Sequence, residues 1–134
     1  MKIDSSYSPI DIAISGLKAM DKNIKTISSN VANARSTDNG NGEPYRRIET
    51  IFKTDGKGIA GVTVDRVAED MSDFKQMLKP GHPDADENGN VSMPNVQVPI
   101  EMMNLNIAAR TYQANTAILK RYQQMVETTL ELLK

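Results

Sequence analysis

Apolar residues repeat at heptad spacing at both ends of the chain, and this pattern constrains the fold more than any other feature of the sequence. Two N-terminal series run seven residues apart: Ile10, Leu17, Ile24 and Val31, and then Ala13, Met20, Ile27 and Ala34. Such series predict a helix with one apolar seam. Ser8 is a suitable N-cap and Pro9 a suitable first-turn residue, so we expect the helix to begin there.

The C-terminal segment predicts a longer helix, because neither Gly nor Pro follows Pro99. One apolar series is Leu105, Tyr112, Leu119, Val126 and Leu133, and a mostly apolar one is Met102, Ala109, Thr116, Gln123 and Leu130. A helix of about 34 residues would be roughly 50 Å long. A second stripe consists of Met103, Ile107, Ala114, Ile118, Met125 and Leu132. Two stripes on one helix predict packing against more than one neighbour.

The middle of the chain has short alternating segments typical of β-strands. Strands are predicted at Tyr45–Lys53 and Val62–Val67, with a possible third at Phe74–Leu78. Polar, Gly-rich loops are predicted at Arg35–Pro44 and Lys79–Asn90.

The predicted fold is therefore mainly α with a small β insert, in which long N- and C-terminal helices pack as a coiled-coil-like pair. Residues 1–34 and 95–134 would form a terminal helical assembly domain, and residues 35–94 a loop plus a small β domain. Periodicity alone leaves two alternatives, a monomeric helical hairpin with a β decoration or a subunit of a larger assembly. Gly16 could permit a neighbouring backbone to approach closely.

Composition excludes several classes of protein. Aromatic residues make up 4% of the chain and Trp is absent, so the core is expected to be thin and the isolated stability modest. A net charge of -1 gives no field for nucleic acid or an anionic membrane. The chain has no cysteine, no stretch approaching the roughly 20 apolar residues of a membrane span, and no secretory signal pattern at its N-terminus.

Two short motifs match ligand-binding loops without the required surroundings. Gly56–Gly61 matches G-x-G-x-x-G, but a strand is predicted after it where a dinucleotide site needs a helix. Asp84–Gly89 matches the start of a calcium loop, yet Asn95 occupies the position of the bidentate Glu. We interpret the first as a hairpin connection and the second as a turn with Asx-type backbone bonding.

The remaining polar residues predict no catalytic site. His82 is the only histidine and lies in a loop, and the carboxylates from Asp65 to Asp73 are expected to form a solvated face. No serine lies in a G-x-S-x-G setting. We therefore expect no enzyme activity, no cofactor and no metal.

Four motifs in order resemble the bacterial flagellar rod and hook proteins. One motif, near the N-terminus, consists of Ser15–Met20 followed by Ile27–Ala34. Another, Arg110–Asn115, lies near the C-terminus. Gly42–Arg47 and Pro80–Asp86 with Met93–Val96 are similar to the proximal rod branch of this family. The resemblance covers essentially the whole chain.

The resemblance implies a structural subunit that stacks helically into the hollow, torque-transmitting proximal rod of the flagellar basal body. It implies export through the flagellar type III apparatus and a location in the periplasmic or cell-wall space. The implied partners are copies of itself, other rod subunits, and basal-body ring and export-gate proteins, with no nucleic acid and no direct membrane insertion.

The predicted assembly interface combines the helical seams with the motif residues. From the first helix it takes Ile10, Leu17, Met20, Ile24, Ile27, Asn30, Val31 and Asn33. From the second it takes Met102, Leu105, Tyr112, Gln113, Asn115, Leu119, Val126 and Leu133. Asn30 and Asn33 are expected to end the first helix and tie it to the following loop through side-chain-to-backbone bonds. Gln113 and Asn115 are expected to bond across subunits or to face solvent.

Overall fold

The computed structural model describes residues 7–133. Along this part of the chain, one long helix precedes four short strands and a second long helix follows them. The elements are α1 Pro9–Ala32, β1 Ile48–Thr54, β2 Val62–Glu69, β3 Lys75–Leu78, β4 Asn90–Met93 and α2 Val98–Leu132. The predicted mainly α fold with a small β insert is confirmed. Residues 1–6 and Lys134, assigned by the sequence to the terminal helical domain, lie outside the described residues.

Helix α1 begins at the predicted cap. The Ser8 hydroxyl accepts a hydrogen bond from the Ile10 amide (3.3 Å), and the Asp11 carboxylate accepts one from the Ser8 amide (3.2 Å). This reciprocal capping box satisfies amide groups that a helix N-terminus leaves without intrahelical partners. The helix ends at Ala32, with Asn33 as its C-cap.

The two helices pack antiparallel. Asn30 of α1 meets Glu101 of α2, and Gly16 lies against Asn115, so the two helices keep one register along their contact. By this register Pro9 lies level with Tyr122. Helix α2 has 35 residues against 24 in α1, and it therefore projects about 16 Å past the first turn of α1.

The strands form two separate antiparallel hairpins. In the first, Ile48 pairs with Glu69 and Thr54 with Val62, and a bulge follows Ile51. In the second, β3 pairs with β4. The prediction missed β4 altogether and began β1 three residues early, because Tyr45–Arg47 make side-chain contacts before pairing starts at Ile48.

A hydrogen bond joins two loops that lie far apart in the sequence. The Thr37 hydroxyl donates to the Asp84 carboxylate (2.7 Å), which joins the loop after α1 to the loop between β3 and β4. The first hairpin lies against α1, and just before that helix the Tyr7 hydroxyl donates to the Asp55 carbonyl. Within residues 7–133, neither helix combines the length and apolar content needed to cross a bilayer.

Candidate functional site: a polar junction and an exposed helix face

The end of α1, the start of β1 and the start of α2 meet at a cluster of polar side chains. We call this cluster the polar junction and define it as Asn30, Tyr45, Arg47, Asn95 and Glu101. Asn30, Tyr45, Asn95 and Glu101 are buried, and Arg47 is largely buried. Buried polar groups destabilise a fold unless each finds a partner, so the geometry of the junction determines how the three elements fit together.

Asn30 is at the centre of the junction. Its side-chain oxygen accepts hydrogen bonds from the Ile48 amide (3.0 Å) and the Tyr45 hydroxyl (3.0 Å). Its amide nitrogen donates to the Ile48 carbonyl (2.7 Å) and to Glu101 Oε2 (3.0 Å). A carboxamide offers two donors and two acceptor positions, and all four are used. The side chain therefore pairs with β1 as a neighbouring strand would, and connects that strand to α2.

Glu101 forms an ion pair with Arg47 across the junction. Arg47 Nε donates to Glu101 Oε1 at 2.7 Å, and the Glu101 side chain is 1% exposed. Burial opposes the charged form of Arg47, but the hydrogen bond and the charge of Glu101 outweigh this and raise the pKa of Arg47. The guanidinium also reaches Asp70 and Glu49, both at 3.3 Å. The pair thus joins the residue just before β1 to the first turn of α2.

Asn95 connects the ends of the two hairpins. Its oxygen accepts from the Arg47 amide (2.8 Å), and its nitrogen donates to the Asp70 carbonyl (2.9 Å) and the Ser72 hydroxyl (2.9 Å). Hydrogen bonds from the Ser72 backbone and side chain, with the charge of Arg47, lower the pKa of Asp70. The segment after β2 is thereby held against the residues that lead into α2.

A second contact point lies halfway along α1, at Ser15 and Gly16. A Cβ atom at Gly16 would lie 2.7 Å from Asn115 Nδ2, so any larger residue would force the Asn115 carboxamide to shift. On the other side, the Ser15 hydroxyl accepts from the Val62 amide (3.0 Å), and a Cβ at Gly61 would lie 2.5 Å from that hydroxyl. Ser15 and Gly16 thus touch both the β1–β2 hairpin and α2.

The predicted interface residues divide into three groups by exposure. Ile27 and Asn30 are buried. Nine are half-buried along the contact between the helices or beside it: Ile10, Leu17, Met20, Ile24, Val31, Asn33, Leu105, Asn115 and Leu119. Five are exposed: Met102, Tyr112, Gln113, Val126 and Leu133. The register places Val126 and Leu133 beyond Pro9, so the described part of α1 does not cover them.

The two asparagines of the first motif both make side-chain-to-backbone bonds, but neither bonds to the backbone of the following loop as predicted, and the Asn33 side chain reaches that loop only by accepting from the Ser36 hydroxyl (3.2 Å). Asn33 Nδ2 donates to the Ser29 carbonyl (2.9 Å) within the last turn of α1. Asn30 bonds to strand β1, where the sequence predicted a bond to the loop. Glu101, Arg47, Tyr45 and Asn95 were not predicted as a cluster. Tyr45, Arg47 and Asn95 lie in two of the motifs named from the sequence, whereas Glu101 is marked only as a lone carboxylate between apolar residues at the start of α2.

The second stripe of α2 is exposed along its whole length. We call it the outer stripe and define it as Met103, Ile107, Ala114, Ile118, Met125 and Leu132, all of which are exposed. It spans about 44 Å and lies roughly 120° around the helix from the face that meets α1. The exposed fractions of Ile107 and Met125 are both 56%. A contiguous apolar surface of this length marks an interaction face.

The two motifs that match ligand-binding loops are turns. Gly56–Gly61 connects β1 to β2 with strands on both sides, as interpreted from the sequence. The Asp86 carboxylate accepts from the Asn88 and Asn90 amides, both at 2.8 Å, which is the predicted Asx-type bonding. The His82 imidazole accepts from the Asp84 amide (3.1 Å).

Both ends of the chain match family models of flagellar rod proteins. Residues 10–39 match the family model described as flagella basal body rod protein. Residues 87–132 match the model for the C-terminal region of flagellar basal body rod FlgEFG proteins. The first segment covers α1 from Ile10 onward with part of the loop after it, and the second covers β4 and α2.

Curated relatives match nearly the full chain. Flagellar basal-body rod protein FlgC of Salmonella typhimurium is 42% identical over 125 residues, covering 91% of this chain and 93% of the relative. FlgC of Agrobacterium fabrum is 40% identical, covering 92% and 91%. FlgC of Borreliella burgdorferi is 32% identical, covering 96% and 97%.

Proposed function

This chain belongs to the FlgC family of flagellar basal-body rod proteins, and we propose that it stacks helically with other copies and other rod subunits into the hollow proximal rod. The assembled rod would transmit torque from the motor to the hook. Its other partners would be basal-body ring and export-gate proteins. The subunit would be exported by the flagellar type III apparatus and would reside in the periplasmic or cell-wall space.

The outer stripe is the observation that carries this proposal. The polar junction and the α1–α2 contact already hold the subunit together, yet a long apolar face of α2 stays outside. Burying one large apolar side chain contributes roughly 1.5–3 kcal/mol, so several along one face would give a strong contact between subunits. Assembly thus uses apolar surface that the subunit does not need for its own fold.

We propose that the predicted interface residues serve at two levels. The buried and half-buried members, centred on Ile27 and Asn30, shape the subunit, and the exposed members contact neighbours. Residues 1–34 and 95–134 would form the assembly domain, with residues 35–94 as a separate loop and β domain. A catalytic role is not proposed, because Gly56–Gly61 has no helix N-terminus that could hold a pyrophosphate.

Ile118→Asp tests the proposed function. Ile118 is 48% exposed on the outer stripe, so the substitution should change the free energy of unfolding of the monomer by no more than about 0.5 kcal/mol. In cells it should prevent incorporation into basal bodies and abolish swimming, while the protein is still exported. Swimming, export and the content of isolated basal bodies are the measurements.

The matched control is Asn106→Asp, which places the same charge on the exposed, polar side of α2, about 120° around the helix from Ile118. This variant should assemble and swim normally. The proposal is wrong if Ile118→Asp cells swim normally with the variant in their basal bodies, or if the tagged native chain is absent from basal bodies.

A further inference from the structure

Three asparagines of the chain are each followed by glycine, two of them in the loop after α1 and one in the loop between β3 and β4. The pairs are Asn39–Gly40, Asn41–Gly42 and Asn88–Gly89. Glycine has no side chain to shield its amide nitrogen, so this nitrogen reaches the preceding carboxamide more readily than that of any other residue. Such pairs are therefore prone to spontaneous deamidation, in which asparagine becomes aspartate or isoaspartate.

Deamidation needs no reagent other than water. The glycine nitrogen forms a bond to the asparagine Cγ, the bond from Cγ to the carboxamide nitrogen breaks, and ammonia leaves with the proton that the glycine nitrogen loses. Water then opens the resulting cyclic imide at either of its carbonyls. One water is consumed and one ammonia released, with no oxidation or reduction. The rate therefore depends on whether the glycine amide is free to lose its proton and to turn its nitrogen toward Cγ.

The backbone conformation requires glycine at all three places. The φ angle is +89° at Gly40, +79° at Gly42 and +77° at Gly89. These values lie in the left-handed region, where a side chain would be strained. The three asparagines are exposed, so water reaches each carboxamide. The turns that these loops make thus place a chemically labile sequence at the surface.

A single carboxylate holds both glycine amides of the loop after α1. Asp38 Oδ1 accepts hydrogen bonds from the Gly40 amide (2.8 Å) and the Gly42 amide (3.0 Å). The bonds from Gly42 and Gly40 lower the pKa of Asp38, so the acceptor is charged at neutral pH. An N–H group that points at a carboxylate is turned away from Cγ, and the negative charge opposes the loss of its proton.

The third pair is held by a different kind of acceptor. The Gly89 amide donates to the Asp86 backbone carbonyl (2.9 Å). No substitution at Asp38 removes that bond. Asn88 therefore serves as a reference site within the same chain.

We propose that Asn39 and Asn41 are deamidation sites, and that Asp38 restrains the reaction in the folded chain by binding both attacking amide nitrogens. Unfolding removes the restraint, so the two sites react faster in chains that have not folded. Each event adds a carboxylate to a loop that already contains Asp38 and Glu43. The isoaspartate product also lengthens the backbone by one methylene. The inference does not depend on the proposed function.

Mass spectrometry of peptides from the full chain, incubated folded or in urea at mildly alkaline pH, measures the reaction at each asparagine. In urea all three should react at similar rates, and in the folded chain all three should react more slowly. Asp38→Ala should speed the reaction of the folded chain at Asn39 and Asn41 by about two- to tenfold, the range that corresponds to one hydrogen bond. Asn88 should keep its native rate.

Two further variants separate this role from a general loosening of the loop. Asp38→Asn keeps a carbonyl oxygen as acceptor without the charge, and its rates should lie between those of the native chain and Asp38→Ala. Thr37→Val keeps Asp38 but removes the bond to Asp84 that ties the loop to its neighbour. It should leave the rates at Asn39 and Asn41 unchanged.

Equal rates in the native and Asp38→Ala chains would overturn the inference. An equal rise at Asn88, or an equal rise with Thr37→Val, would also overturn it, because loosening of the structure would then explain the effect. A rise at only one of Asn39 and Asn41 would contradict the shared role of Asp38. Since none of these measurements uses basal bodies, their outcome leaves the proposed function untouched.

Discussion

At the scale of single residues, Glu101 carries a charge in a position that almost no solvent reaches. Its carboxylate accepts from Asn30 of α1 and from Arg47, which lies just before β1. Breaking a buried ion pair by removing one partner is costly, because the remaining charge stays buried without compensation. The pair therefore determines how α2 is placed against the β region.

Glu101→Gln should lower the free energy of unfolding by about 3 kcal/mol, because it leaves Arg47 without its closest anion. The matched control is Glu49→Gln. That carboxylate also contacts Arg47 but is 48% exposed, so its loss should cost less than about 1 kcal/mol. Urea unfolding followed by circular dichroism measures both. Equal losses for the two variants would show that the junction does not depend on Glu101.

Gly16 and Asn115 should be coupled, because a Cβ at Gly16 would overlap the Asn115 carboxamide. Replacing Gly by Ala in a helix favours folding by about 1 kcal/mol, whereas overpacking typically costs 1–3 kcal/mol. Gly16→Ala alone should therefore destabilise the chain by on the order of 1 kcal/mol. In the presence of Asn115→Ala, the same change should stabilise it by about 1 kcal/mol.

A double-mutant cycle measured by thermal unfolding checks this reversal of sign. Ser28→Ala, at an exposed position on the same helix, serves as the control and should give the same change in both backgrounds. If Gly16→Ala changes the free energy of unfolding in the same direction with and without Asn115→Ala, the close approach at Asn115 does not limit the packing of the helices.

At the scale of elements, the helices were predictable from the sequence and part of the β region was not. A heptad pattern that persists through α1 and α2, with Ser8 and Pro9 at one start, predicts long helices by itself. Strand β4 has only four residues, between Gly89 and Pro94, and its pairing partner β3 lies in a different segment. So short a strand is defined by its partner more than by its own residues.

The polar junction was hidden from the sequence for a related reason. Asn30 and Glu101 are 71 positions apart, and Arg47 and Glu101 are 54 apart. Periodicity reports which face of a helix is apolar, but it does not report which polar residues from distant segments will meet. The motif containing Asn30 and Asn33 marked the right region, and only the packing of α1 on β1 showed what Asn30 contacts.

Residues 123–133 lie beyond the first turn of α1, and this projecting end of α2 should be separable from the fold of the subunit. Removing residues 124–134 should lower the free energy of unfolding by less than about 1 kcal/mol, because the described residues there are exposed. It should prevent incorporation into basal bodies. The control replaces the same segment with a Gly/Ser sequence of equal length, which keeps the length and removes the apolar residues.

Urea unfolding and the composition of isolated basal bodies measure the two effects. A truncated chain that still assembles would show that the projecting end makes no essential contact. A loss of several kcal/mol in the monomer would show instead that this segment belongs to the core of the subunit.

At the scale of the whole molecule, the subunit has little apolar core. Among residues 7–133, the buried apolar residues are Ala13, Ala19, Ile27, Tyr45, Val91, Met93, Val96 and Ala108, three of which are alanines. Thr26, Asn30, Asn95 and Glu101 are buried as well, so a substantial part of the interior is polar. Hydrogen bonds contribute less net stability than burial of large aliphatic side chains. The chain thus combines a weak interior with a large apolar exterior.

This balance predicts that most of the stability of the subunit comes from its neighbours. The purified monomer should unfold with a free energy of about 5 kcal/mol or less, the low end for a folded domain. Rods should resist higher urea concentrations than the monomer, because contacts made only by the folded state stabilise it. The measurements are the urea midpoint of the monomer and the urea concentration that dissolves rods in isolated basal bodies. Ile118→Asp should leave the monomer midpoint unchanged, which separates interior from exterior contributions. A monomer midpoint at or above that of the rods would mean that the outer stripe contributes nothing on assembly.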